Sequence, residues 1–198
     1  MRLRSLDPNR ASDIEQFIEF PFALYRGCPQ WVPSMVSGTR LVLDRRRHPF
    51  YRHSEGDFFV VEEGGKPLGQ IAVLANRRYN DFHATKTAFF YYFDTVDDGE
   101  VARLLLDAAA DWARAHGMDT LLGPKGFMRT DSVGILIDGF EHRAAPGASY
   151  NYPYYRRLLE ACGFEKEVDY FSGYLSGDYD LPQRFYEVAE KVKERSGF

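Results

Sequence analysis

The run TAFFYYFDTVDDGEVARLLLDAAADWARAHG, residues 87–117, decides the fold. Thr87 to Asp94 is strongly aromatic and free of Gly and Pro, which predicts a strand. After Gly99 the period changes. Val101, Leu104, Leu105, Ala108, Trp112 and Ala115 recur at helical spacing and predict one apolar helix face, which Gly117 ends. Asp97, Asp98 and Glu100 stand at the start of that helix, where carboxylates cap free N–H groups and meet the positive end of the dipole.

Upstream, Phe58 to Glu62 and Pro67 to Asn76 flank Gly64-Gly65, a pair that accepts the positive φ of a tight turn and predicts an antiparallel hairpin. Arg2 to Leu6 alternates as a short strand and stops at Asp7-Pro8. A helix follows through Ile14, Phe17, Ile18 and Phe22, with Ser12 or Asp13 as its N-cap and Pro21 as a kink before Tyr25. Residues 28–33 form a rigid link, and Val36 to Leu43 a short helix. Arg77 to His83 reads as a polar-aromatic loop, a kind that contacts substrate or another subunit.

Downstream, Thr120 to Gly123 predicts a short strand ended by Pro124, and Ile135 to Ile137 an irregular segment. A helix opens at Tyr152 or Pro153, runs through Leu158, Leu159 and Cys162, and ends at Gly163. Two strands are expected near Phe164 to Val168 and Tyr170 to Leu175. Residues 182–196 place Phe185, Val188, Ala189 and Val192 on one helical face.

The whole chain has 198 residues, a length suited to one domain with a small appendage. Its 25 Lys+Arg against 29 Asp+Glu exclude a basic nucleic-acid footprint. With 16 Phe and 13 Tyr it can build a sizeable core despite a mean hydropathy of −0.42. Cys28 and Cys162 cannot form a disulfide framework. The start of the chain lacks an apolar leader, and the longest apolar run is only Ala88 to Phe93, so a cytoplasmic protein without a membrane span is expected.

His48, His53, Glu55 and Asp57 are metal-capable, but their intervals fit no ligand pattern and no metal is expected. Arg40, Arg45, Arg46, Arg47 and Arg52 read as a solvated charge run, and Cys162 as an inert thiol at a helix end. Lys125 and Arg129 follow the strand at Thr120, yet residues 123–126 lack the Gly-Lys-Ser/Thr ending of a P-loop.

The order of elements resembles that of the GNAT acyltransferases. Gly69 after the hairpin turn is similar to their "DGxxVG" hairpin, and Asn151 through Leu158 to Gly163-Phe164 is similar to their "N…A…LY…GF" ending. Pro21 to Tyr25, Trp31 to Pro33 and His48 to Phe50 resemble motifs of a group of bacterial GNAT-like proteins. The resemblance covers roughly residues 1–175, leaving 176–198 as a linker and amphipathic helix that leads toward a second half.

The resemblance implies an α/β fold with a mixed, mostly antiparallel sheet, a central splay and helices on both faces. It implies an N-acyltransferase that moves an acyl group from acetyl-CoA or another acyl-CoA to a small-molecule or peptide amine. A homodimer is compatible with it. Thr95, Val96, Gly99 and Ala102 would lie at the cofactor, although only Gly99 and Ala102 match the family's Gln/Arg-x-x-Gly-x-Gly/Ala loop. Lys125 would supply a charge there, and Asn151 matches the ending motif. The family's usual acidic tyrosine falls on Leu159, which moves that role to Tyr155 one turn earlier, with Tyr154 beside it, and leaves Asp94 as a base. The rival reading is a non-catalytic GNAT-like binding or assembly domain with a degenerate cofactor site.

Overall fold

The computed structural model describes residues 1–145, 147–173 and 177–196. The chain divides into two compact units, residues 1–165 and 166–198. In the first unit β1 (Arg2–Ser5), β2 (Glu55–Glu63), β3 (Lys66–Ala75), β4 (Thr87–Thr95) and β5 (Thr120–Leu122) lie side by side in that order. All neighbours are antiparallel except β4 and β5, which run parallel. Gly64 and Gly65 turn the β2–β3 hairpin with φ of +57° and +82°, where a side chain would be strained.

Strand alternation fills both faces. Ile71, Val73 and Ala75 join the core under α4 (Gly99–Ala115) and α5 (Tyr154–Ala161). Ala72 and Leu74 point the other way, with Phe17 and Ile18 of α1 (Ala11–Leu24) and Val42 and Leu43 of α2 (Val36–Leu43). A Cβ on Gly69 would stand 2.8 Å from Leu105 and 2.9 Å from Val101, so this glycine lets α4 lie against β3.

Four expectations need correction. The cap of α1 is Arg10, and Asp13 sits inside the first turn. Its carboxylate accepts from Arg4 Nη1 at 2.8 Å and from the Asp7 N–H at 3.0 Å, tying α1 to β1. Asp13→Ala should therefore lower the unfolding free energy by about 1.5–3 kcal/mol, the range for bonds to a charged group, measured by urea denaturation. A change below the precision of the titration would contradict this tie.

Arg77–His83 is a helix, α3, and not a loop, because the Asn76 side chain accepts from the Tyr79 N–H and caps it. The buried face of α4 is broader than the expected stripe. It adds Ala102, Leu106, Ala109 and Ala113, leaves Leu104 partly covered, and exposes Ala115. Residues 164–173 carry no strand: Val168, Tyr170 and Phe171 are exposed, so their alternation buries nothing, while Tyr174 and Leu175 lie outside the described residues. In the second unit α6 (Gln183–Ser196) carries Phe185, Val188 and Val192 exposed.

Candidate active site

β5 stays with β4 for three residue pairs, ending at Phe89–Leu122. Gly123 then passes so close to Phe90 that a Cβ would stand 2.6 Å from its carbonyl oxygen, and the Lys125 N–H donates to that same oxygen at 2.8 Å. Past this crossing the strands part. Tyr91 to Asp94 and Pro124 there line a cavity of about 140 Å³, bounded by α1, α2, Ser132, Gly134, Ile135 and residues 148–151.

A bulge aims β4 into this cavity. The pairing passes from Ala72–Tyr91 to Gln70–Asp94, so one residue of β3, Ile71, faces two of β4, Tyr92 and Phe93, and Tyr92 takes φ +48°. Tyr91 and Tyr92 consequently pack on the same side, with α1 and α2, while Phe93 joins the core under α4. Strict alternation from Phe89 would have sent Asp94 toward α4. The extra residue sends it to the cavity instead.

Asp94 Oδ1 accepts from the Tyr25 hydroxyl at 3.2 Å, and Oδ2 from Gln70 Nε2 at 3.3 Å. The Tyr25 and Tyr155 hydroxyls are 3.0 Å apart, and Tyr155 accepts from the Thr95 N–H at 3.1 Å. With Asp94 ionised, Tyr25 must donate to it, so Tyr155 must donate to Tyr25: every proton in the chain points toward the carboxylate. Desolvation pushes the Asp94 carboxyl up to about 6, against the downward pull of the bonds from Tyr25 and Gln70. Burial, reinforced by Asp94, pushes both phenols well above their ordinary range and keeps them protonated. Tyr25 is held between the rings of Trp31 and Tyr152, with centroids 4.9 and 5.0 Å away.

Of the expected catalytic residues, the fold thus brings Asp94 and Tyr155 together. Tyr154 is adjacent and donates to the Thr95 carbonyl at 2.7 Å. Thr95 therefore has both backbone groups bonded to tyrosines of α5, and the Val96 N–H donates to Leu68 O at 3.0 Å. At the start of α4, Asp98 Oδ1 accepts from the Glu100 and Val101 N–H groups at 2.8 and 3.3 Å, while Asp97 pairs with Arg157. Ala102 is fully buried, and the space around Gly99 is open.

Lys125 is placed elsewhere. Its ammonium stands over the rings of Tyr79 and Phe89, at 4.4 and 4.7 Å, on the sheet face opposite α4. Asn151 is buried and works on the backbone: it accepts from the Leu136 N–H at 2.7 Å and donates to Leu136 O at 3.2 Å, fixing the segment that covers the cavity. Leu159 is core.

The metal-capable side chains have other partners. His48 accepts from the Phe50 N–H, His53 lies against Ser54, Glu55 lies near His116, and Asp57 holds Arg45 and Trp112 Nε1. Arg40 pairs with Glu15 through two bonds. Burial pushes the Cys162 thiol up.

Sequence reasoning gave no role to Tyr25 or Gln70. Gln70 carried a signal, being the polar residue in an otherwise apolar strand interior, residues 68–75, and it is buried. Tyr25 stood inside the quoted motif at Pro21 but had no partner that spacing could name.

No protein-family profile matches the chain. It is 25% identical over 190 residues to "Protein YghO" of Escherichia coli K12, covering 93% of this chain and 47% of that protein. It is also 25% identical over 185 residues to "Bacterial ceramide synthase" of Caulobacter vibrioides, with coverage of 93% and 47%. The chain thus spans about half the length of the curated relatives it matches. Among solved structures it resembles a tandem GNAT protein from the clavulanic acid biosynthesis pathway, with a TM-score of 0.55, 17% identity, and coverage of 82% of this chain and 43% of that one. The mixed, mostly antiparallel sheet, the parting of β4 from β5 and this likeness together give the chain the GNAT acyltransferase fold.

Proposed function

We propose that the chain is an N-acyltransferase domain that moves an acyl group from acyl-CoA to an amine. The observation that carries this reading is Asp94, a cavity carboxylate fed by a directed line of hydroxyls at the point where the two strands part. The same reading keeps residues 1–175 as the transfer domain and 176–198 as a linker and helix. One relative is named as a ceramide synthase, and a ceramide is an amide, the product class of acyl transfer to nitrogen.

The residues fit a thioester in the strand opening. They admit a pyrophosphate at α4 only after the Asp98 side chain leaves the Glu100 and Val101 N–H groups, since Arg157 already balances Asp97. Acyl-CoA, when bound, supplies the thioester carbonyl. Asp94 orients the acceptor and takes one proton from its ammonium, freeing the nitrogen lone pair; a C–N bond then replaces the C–S bond, and the second proton lost by nitrogen goes to the departing thiolate, giving free CoA. Tyr25 holds the carboxylate in place. Tyr155 acts through Tyr25 and is a positioning residue, and Tyr154 anchors the end of β4.

The Asp98 cap favours the rival reading of a binding domain that has lost its cofactor site. Two measurements separate the readings. Amine-dependent release of free CoA from acetyl-CoA, followed with a thiol reagent, supports transfer, and absence of CoA binding at millimolar concentration overturns it. Asp98→Asn keeps the cap while removing a charge facing the phosphates, and should tighten CoA by about two- to fivefold in calorimetry.

A further inference from the structure

We infer that the acceptor is an amine carried on an apolar body and bearing no anionic group, its ammonium seated between Asp94 and Gln70 and its hydrocarbon against the walls built by α1 and α2. This inference rests on the proposed acyl transfer and narrows its substrate. Among the described residues lining the cavity, Asp94 is the one charged side chain; no Lys, Arg or His faces it. A carboxylate or phosphate on the acceptor would enter without a countercharge, next to a carboxylate that repels it. An amino acid, a peptide C-terminus and a nucleotide are all disfavoured on that ground.

A cation meets the opposite situation. Gln70 is 1% exposed and its Oε1 has no hydrogen-bond partner among the described residues, while its amide nitrogen is committed to Asp94. An ammonium brings three donors to this carbonyl and to the carboxylate, and would meet both needs at once. The walls fit the remainder of such a molecule. Phe17, Ile18, Phe22, Trp31 and Val36 present rings and aliphatic groups to the cavity. Phe22 and Val36 remain 41% and 42% exposed, and Met35 beside them is 78% exposed, so the apolar surface continues outward from the mouth. A hydrocarbon chain too long for the cavity has an apolar path to follow. Each methylene it buries should tighten binding roughly fourfold.

The test is a set of calorimetric titrations of the whole chain at about pH 8, where Asp94 is ionised and an alkylamine is cationic. The probes are 1-octylamine, 1-butylamine, octanoate and 1-octanol. Octylamine should bind about tenfold or more tighter than either butylamine or octanoate. Asp94→Asn should weaken octylamine about tenfold and leave octanol within about twofold.

The wild-type chain supplies a reading that needs no variant. Lowering the pH from about 8 to about 5 should weaken octylamine about tenfold and spare octanol, because Asp94 protonates while Tyr25, Gln70 and Tyr155, the groups that face it, do not change charge. Octanoate or butylamine binding as tightly as octylamine overturns the inference, as does octylamine affinity that ignores both the substitution and the pH. If octylamine binds as described but acetyl-CoA yields no amine-dependent CoA release, the acceptor site stands and the transfer reading alone falls.

Discussion

Asp94→Asn should lower turnover with any competent amine by about 10²–10⁴, the scale for removing a positioned base, while the protein becomes more stable. The two effects have one cause. The folded carboxyl sits at about 6 against an ordinary 3.8, so ionising it costs stability that accrues as pH rises between those values and persists above them. At about pH 8 the asparagine variant should be more stable than wild type by about 1–3 kcal/mol, and below about pH 4 the difference should vanish. The new amide also gives Gln70 a donor: by rotating its own amide, Gln70 turns the unpartnered Oε1 toward it. Turnover in wild type should fall as pH drops through about 6, because only the carboxylate accepts a proton. Urea melts at the two pH values and a pH–rate profile check these expectations. Lost activity accompanied by lost stability would instead mark Asp94 as a structural residue.

The largest stability loss is expected at Trp112. Its ring is 7% exposed, lies between α4 and the sheet, and donates from Nε1 to Asp57 Oδ2 at 2.6 Å. Trp112→Ala removes the ring and one of the two partners of Asp57, leaving it Arg45, and should cost about 3–5 kcal/mol. For a domain of this size that lowers Tm by roughly 6–20 °C. Trp112→Phe keeps most of the packing and loses the bond, so its loss should be about 1–3 kcal/mol. Calorimetry on the three proteins orders them. An alanine variant within about 1 kcal/mol of wild type would remove α4 from its place against the sheet.

The elements that were legible in the sequence are those whose signal is local. Gly64-Gly65 fixes the hairpin, Gly99 to Gly117 carries its own period and stop, and Val36–Leu43 is a helix as read. Residues 164–173 form no strand because an alternating pattern is meaningful only with a face to cover, and Val168, Tyr170 and Phe171 are exposed. α3 escaped notice because its evidence is a single capping bond from Asn76.

The site divides the same way. Asp94, Tyr154 and Tyr155 could be named because a motif and a helix period locate them, and they meet around Thr95. Lys125 could not be placed, since nothing in residues 123–126 tells which sheet face the crossing strand's side chains will meet. Tyr25 could not be joined to Asp94 because the two are 69 residues apart and share no pattern.

The bulge at Tyr92 makes the direction of Asp94 a matter of counting. Removing one residue between Tyr91 and Phe93 would restore strict alternation yet leave Phe93 under α4 and Asp94 at the opening, and would cost the cavity side one of its two neighbouring tyrosine rings. The faces before the bulge count from Phe89 and those after it from Asp94, with opposite parity. When chains of this fold are aligned through their fourth strand, the informative character is accordingly a gap of one position. Aligned without it, Asp94 is set against a residue that faces α4 in a strand one residue shorter, and two floors that are chemically alike would be read as one anionic and the other hydrocarbon.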